Sequence, residues 1–146
     1  MMEVNSIIRD AVYSIPDTYY LRATDQEANI EMDDIDLIDI TVCIYNNLPT
    51  INNVVSNGVV AEYPVEIKIL QLADYDDNDV DGDVIREACM DIAYELQYTI
   101  TSDNRTSQAA DVDNFIVDML DQVKLYDKIL TGVELRFNLP IPKNNC

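Results

Sequence analysis

The chain has no histidine in its 146 residues, three glycines, three cysteines, and nine basic residues against 28 acidic ones. Each shortage excludes something. Without imidazole, the usual zinc sites fall away, and so does every catalytic triad that uses histidine. Three glycines leave no Gly-rich loop to cradle a phosphate. Cys43, Cys89 and Cys146 are far apart, form no CxxC pair and are odd in number, which argues against a disulfide framework. A reducing place of synthesis, the cytosol, is the simplest expectation. No apolar run approaches the roughly 20 residues that span a bilayer, so no membrane role is expected. The opening "MMEVNSIIRD" has an early glutamate and no basic start, unlike a secretory leader.

The shortage of positive charge is the strongest global fact. The formal net charge is -19 and the isoelectric point is near 4.1. The few lysines and arginines are scattered, so the surface repels nucleic acid and anionic membranes. Specific nucleic-acid binding is not expected, whereas lying close to DNA without adhering to it is compatible with this charge. With 48% hydrophobic residues, the chain has the means to bury a core. Its length fits one domain, residues 1–146.

Val4, Ile7, Ile8, Ala11, Val12 and Ile15 step by threes and ones, which places all six on one helix face. Pro16 and Asp17 end that helix. "TYYLRAT" is a short β-type run, and residues 25–34 read as a polar loop. In "DLIDITVCIY", Ile38, Ile40, Val42 and Ile44 share one face of a strand, and Asp39, Thr41, Cys43 and Tyr45 the other. "NNLP" turns the chain. "TINNVV" and "GVVAEYPVEIKILQL" form a hairpin joined at "SNG". Val65, Ile67 and Ile69 alternate with Glu66 and Lys68; Leu70 and Leu72 then take the opposite phase, which predicts a bulge or a strand end. Pro64 belongs at an edge or a bulge.

From residue 84 the period becomes helical: Ile85, Ala88, Cys89, Ile92, Ala93, Leu96 and Ile100 form one stripe. Cys89 on that stripe reads as core. After the polar "TSDNRTSQ", the spacing of Val112, Phe115, Ile116, Met119, Leu120 and Val123 predicts a further helix, capped by Asp111 or Ser107. A closing strand sets Val133, Leu135, Phe137 and Leu139 against Glu134, Arg136 and Asn138. The expected fold is α+β: a mainly antiparallel sheet packed by about three helices.

One stretch resembles a metal loop. In "DDNDVDGDVIREA", Asp77, Asp79 and Asp81 alternate and Gly82 follows, as in the loop of a calcium-binding helix–loop–helix. Position twelve, however, is Ala88 rather than the bidentate glutamate. Glu87 is one place early, and a one-residue shift turns a helical side chain by about 100°. The preceding "VEIKILQL" also has strand periodicity. The reading is a solvated loop in which Asp83 caps a helix starting at Val84. No catalytic, cofactor or metal residue is assigned, and no enzyme is expected.

Three stretches carry a resemblance, in order along most of the chain. The opening "IIRDAVYSI" runs into a proline and a Tyr-rich strand. The middle "VEIKILQLADYDDNDVDGDVIREACMDIAYEL" is a strand, an acidic loop and an amphipathic helix. The ending is "KILTGVELRFNLPIPKNNC". This layout resembles the tail-terminator and neck-ring proteins of tailed bacteriophages. The "TGVELRF" strand is similar to the closing strand of such proteins in phages of gut bacteria, crAss-like phages among them. The resemblance implies a virion protein, made in the host bacterial cytoplasm, that closes into a sixfold or twelvefold homo-oligomeric ring in the neck or tail. Its neighbours would be portal, adaptor or tail ring proteins, and DNA would pass through without specific binding. Exposed strand edges and the loop at residues 24–35 are the expected docking elements. Two other classes compete: an acidic DNA mimic that inhibits a nucleic-acid-binding protein, and a calcium-binding module. The scattering of the acids over every segment counts against the mimic, which needs duplex-like spacing.

Overall fold

The computed structural model describes residues 2–22, 40–46, 55–56, 60–72, 79–106, 115–125 and 128–142. The elements are α1 (Met2–Tyr13), β1 (Thr18–Arg22), β2 (Thr41–Tyr45), β3 (Val55–Ser56), β4 (Val60–Leu72), α2 (Asp79–Thr101), β5 (Ile116–Leu125) and β6 (Lys128–Pro142). The fold is α+β. Its mixed sheet has the five-strand path β1-β2-β4-β6-β5, with the two-residue β3 paired to β4 beside β2. Residues 24–35 and 36–39, all of "NNLP" but Asn46, Ser107, Asp111, Val112 and most of the "SNG" turn lie outside the described residues.

The α1 stripe is buried as its spacing predicts: Val4, Ile7, Ile8, Ala11, Val12 and Ile15 all enter the core. Pro16 and Asp17 do end the helix, and the mechanism is visible. Asp17 takes a left-handed φ of 58°, which turns the chain into β1. The Thr18 hydroxyl reaches the Val12 carbonyl at 2.7 Å and the Ile15 carbonyl at 2.9 Å, satisfying acceptors the helix end leaves open. The Asp17 carbonyl then accepts from the Thr41 N–H, which starts β2 beside β1. This β1–β2 pair is parallel, so the sheet is mixed rather than wholly antiparallel.

Both helices cover the same face of the sheet. Tyr20, Cys43, Tyr45, Val65, Ile67, Ile69, Val133, Leu135, Phe137, Leu139 and Ile141 supply that face, and α2 adds Cys89, Ala93, Leu96 and Ile100. Burial pushes the Cys43 and Cys89 thiols up to about 12, so both stay protonated at neutral pH. The Tyr20 hydroxyl donates to Asn5 Oδ1 on α1. Arg105, after α2, grips Asp103 with two contacts of 2.9 and 2.7 Å and reaches Asp10 of α1 at 3.1 Å. That arginine holds the Asp103 carboxyl below its ordinary range.

Four expectations are corrected. The apolar spacing around Phe115 to Val123 does not make a helix; Ile116–Leu125 is strand β5, and two helices are described instead of about three. The cause is a bulge. Leu120 pairs Gly132 but Val123 pairs Leu130, so three steps on β5 answer two on β6. That inserted residue changes the strand's alternation into a spacing that imitates a helix. Next, of the bulge or strand end expected at Leu70 and Leu72, the bulge is corrected and the strand end is found: β4 stops at Leu72, and its register with β6 runs unbroken from Val60↔Pro142 to Leu72↔Leu130. Leu70 changes phase because this end of the sheet is buried on both faces, with Val42, Ile44, Leu70 and Leu130 lying opposite the helices. Third, α2 begins at Asp79, not Val84, so Asp83 lies inside the helix instead of capping it. Fourth, the "TSDNRTSQ" link starts inside α2, which runs to Thr101.

Pro64 lies on the interior strand β4, with no bulge there, rather than on an outer strand. The Glu66 carbonyl accepts from the Asn46 N–H, so residue 66 faces the β2 side. Pro64, two residues earlier, faces the same side, between the stretches of β4 that pair with β3 and with β2. Its missing N–H costs no ladder bond there.

Candidate assembly surfaces

Asp79 and Asp81 of the aspartate run lie in the first turns of α2. Asp77 lies outside the described residues. Asp83 is engaged by Arg86, whose Nη2 donates to Oδ1 at 2.6 Å. Among the described residues, no group of three or more His, Cys, Asp or Glu could hold a metal ion. With Ala88 where the bidentate glutamate would stand, calcium affinity is expected at about 10⁻³ M or weaker. Titration calorimetry giving a sub-micromolar dissociation constant would contradict this.

The solvent face of α2 is acidic. Glu87, Asp91 and Glu95 are exposed at four-residue steps, so they stack along one side about 6 Å apart. Val84, Tyr94 and Tyr98 are exposed on the same helix, Tyr98 by 74%. Arg86 is its one cation and is turned inward, donating to Thr131 Oγ1 at 3.1 Å. Thr131 in turn donates to the Leu120 carbonyl at 2.9 Å, so a single chain of bonds ties α2 to β6 and to the β5 bulge.

Among the described residues, β1 and β5 end the five-strand path, pairing only with β2 and β6, and the two-residue β3 pairs only with β4. On β5, Ile116 and Met119 are 51% and 52% exposed, an apolar pair flanking Asp118. An edge strand with exposed apolar side chains is a template for pairing with another chain. The loop at residues 24–35, also expected to dock, lies outside the described residues.

The face of the sheet turned away from the helices carries charge at its centre. Glu66 and Lys68 on β4 stand opposite Arg136 and Glu134 on β6, and Asp118 on β5 follows. Arg136 contacts Asp118 through Nη2, and its Nε lies 3.5 Å from Glu134 Oε1. Register places Glu66 and Glu134 as diagonal neighbours on this face. Residue spacing along the chain gives no sign of this cluster, because cross-strand register alone assembles it.

No helix among the described residues is long and apolar enough to cross a membrane. No protein family matches the chain, and no curated protein is similar to it.

Proposed function

We propose that this protein is a structural subunit of a bacteriophage virion, closing into a homo-oligomeric ring in the neck or tail through which DNA passes. The observation that carries this reading is the separation of its surfaces. One long helix shows a line of carboxylates to solvent, while apolar side chains stand on an outer strand. Glu87, Asp91 and Glu95 would line the DNA path, where like charge keeps the phosphate backbone from adhering. The β1 and β5 edges would make the head-to-tail contacts that close by rotation, sixfold or twelvefold. Portal, adaptor or tail ring proteins would stack above and below. The α+β architecture accords with a tail-terminator-like subunit. No catalytic role is proposed.

The rival reading, a DNA mimic, has less support. Carboxylates about 6 Å apart on α2 are several times sparser than a duplex, which carries one charge per about 1.7 Å of axis.

Identical subunits with a charge of -19 repel one another, so apolar and backbone contacts must supply the attraction. Association should therefore strengthen with salt, as screening shortens to about 3 Å at 1 M. Sedimentation at 0.05 and 1 M salt checks the sign; weaker association at high salt would contradict it. A symmetry-averaged reconstruction of the particle tests the placement. A single copy off the head–tail axis, or absence from purified virions, would end the ring reading. A stable monomer that captures basic proteins would favour the mimic.

A further inference from the structure

The two ends of the five-strand path run in opposite directions. β4 and β5 are antiparallel to β6, β2 is antiparallel to β4, and β1 is parallel to β2. β1 therefore runs with β6 and against β5. Had every pair been antiparallel, the odd number of strands would have set β1 and β5 in the same direction. A rotation from one copy to the next, with the helices kept on one side, thus brings β5 of one beside β1 of the other as an antiparallel pair. That is the slightly more stable ladder per residue.

Two hydrogen bonds fix which backbone groups face outward. The Asn46 N–H donates to the Glu66 carbonyl at 3.1 Å, so the peptide groups of residue 66 turn toward β2. Its β6 partner, Arg136, turns the other way, toward Ile116 of β5. Alternation then points the N–H and C=O of Val117 and Met119 out from β5. At the far end, the Thr41 N–H donates to the Asp17 carbonyl at 2.9 Å, which sets Tyr19 and Leu21 toward β2. Tyr20 and Arg22 point their backbone groups outward there.

We infer that neighbouring copies are joined by a backbone ladder, β5 of one pairing antiparallel with β1 of the next, so that one sheet runs on from subunit to subunit. This rests on the ring reading, of which it specifies the contact.

Charge separates this joint from the two symmetric ones. β1 has one charged residue, Arg22, which is exposed. β5 has Asp118 and Asp121 against Lys124, so it is net negative. Pairing β5 with β5, or β1 with β1, sets like charge against like, whereas β5 with β1 brings opposite charges together. Apolar side chains meet at the same joint. Ile116 and Met119 are about half exposed on β5, and Tyr19 and Leu21 are half-buried on β1. Main-chain bonds also suit a chain of net charge -19, because they form without any cation.

The test is residue-resolved amide exchange of the full chain at 1 M salt, over a concentration series followed by sedimentation. On association, the N–H groups of Val117, Met119, Tyr20 and Arg22 should gain about tenfold protection or more. Those of Asp118, Tyr19 and Leu21, already turned to their own ladders, should change little. Met119→Pro removes one outward N–H without touching the β6 ladder, and should weaken association by about tenfold or more. Met119→Ala keeps that N–H and should weaken it less. Arg22→Glu makes both edges negative, so its loss of association should be larger at low salt than at 1 M. Should Met119→Pro fail to fold, the exchange pattern of the wild type decides. Self-association that leaves those four N–H groups as they are in the monomer, or protects β5 alone, would overturn the inference and spare the ring reading. A chain that stays monomeric at 1 M salt up to millimolar concentration would overturn both.

Discussion

Gly132→Ala is expected to cost about 3 kcal/mol or more, the upper end of what overpacking does. A β-carbon at residue 132 would stand 1.9 Å from the Ile69 carbonyl oxygen and 2.9 Å from its carbonyl carbon. Both atoms are backbone of β4, so no side-chain rotation relieves the clash. The two central strands would have to separate, and they are paired over their whole length. Gly132 is needed for close approach, not for a left-handed φ. Gly82→Ala is the matched control. There the new methyl would meet the tip of the Arg86 side chain at 3.1 Å, a flexible neighbour that can give way. Alanine is favoured over glycine inside a helix by about 1 kcal/mol, which offsets the crowding. The Gly82 variant should therefore unfold within about 1 kcal/mol of the wild type. Urea midpoints of the two variants check the contrast. Equal midpoints would mean that the strands at Gly132 part without cost.

The glycine also marks how far this fold can be read from its sequence. Where one local period governs a segment, the reading succeeds. The stripes of α1 and α2 and the alternation of β6 all face the core as their spacing predicts. Where a residue's role depends on what lies across the sheet, spacing is silent. Gly132 is small because Ile69 lies against it, 63 positions away in the chain by subtraction of the two numbers. Glu66 and Glu134 look like two of 28 acidic residues until register makes them neighbours. β5 fails for a different reason: a bulge at Leu120–Val123 lets a strand display helical spacing. The β-branched Ile116, Val117 and Val123 were the contrary signal, since such residues favour strands over helices. The start of α2 at Asp79 was hidden because its first residues, Asp79 to Asp83, are three aspartates, a valine and a glycine that lie ahead of the apolar stripe. The assembly surfaces were legible only as a class. Charge alone points to repulsion from DNA, whereas the placement of Glu87, Asp91 and Glu95 on one exposed side needs the packing of α2.

Phe137→Ala is expected to destabilise the protein by about 3–5 kcal/mol, the range for removing a buried aromatic ring. Phe137 is 5% exposed on β6, in line with Val65 of β4, which is also buried. Its ring stacks on Phe115 with centroids 4.4 Å apart and planes 16° from parallel. That contact does more than fill space. Phe115 precedes β5, and Phe137 lies one residue past Arg136, the β6 partner of Ile116. The stacked pair thus anchors the start of β5 to the sheet where the β5–β6 ladder ends. Losing it should lower global stability and also free that end of the outer strand. Phe137→Leu keeps most of the apolar volume but not the stacking, so it should lie between wild type and alanine. Urea unfolding gives the first effect, and amide exchange at residues 116–118 gives the second. If the Phe137→Ala midpoint equals that of wild type, β6 is peripheral to the core. If the midpoint falls while exchange at 116–118 stays as protected as in β4, the ring fills the core without holding the outer strand in place.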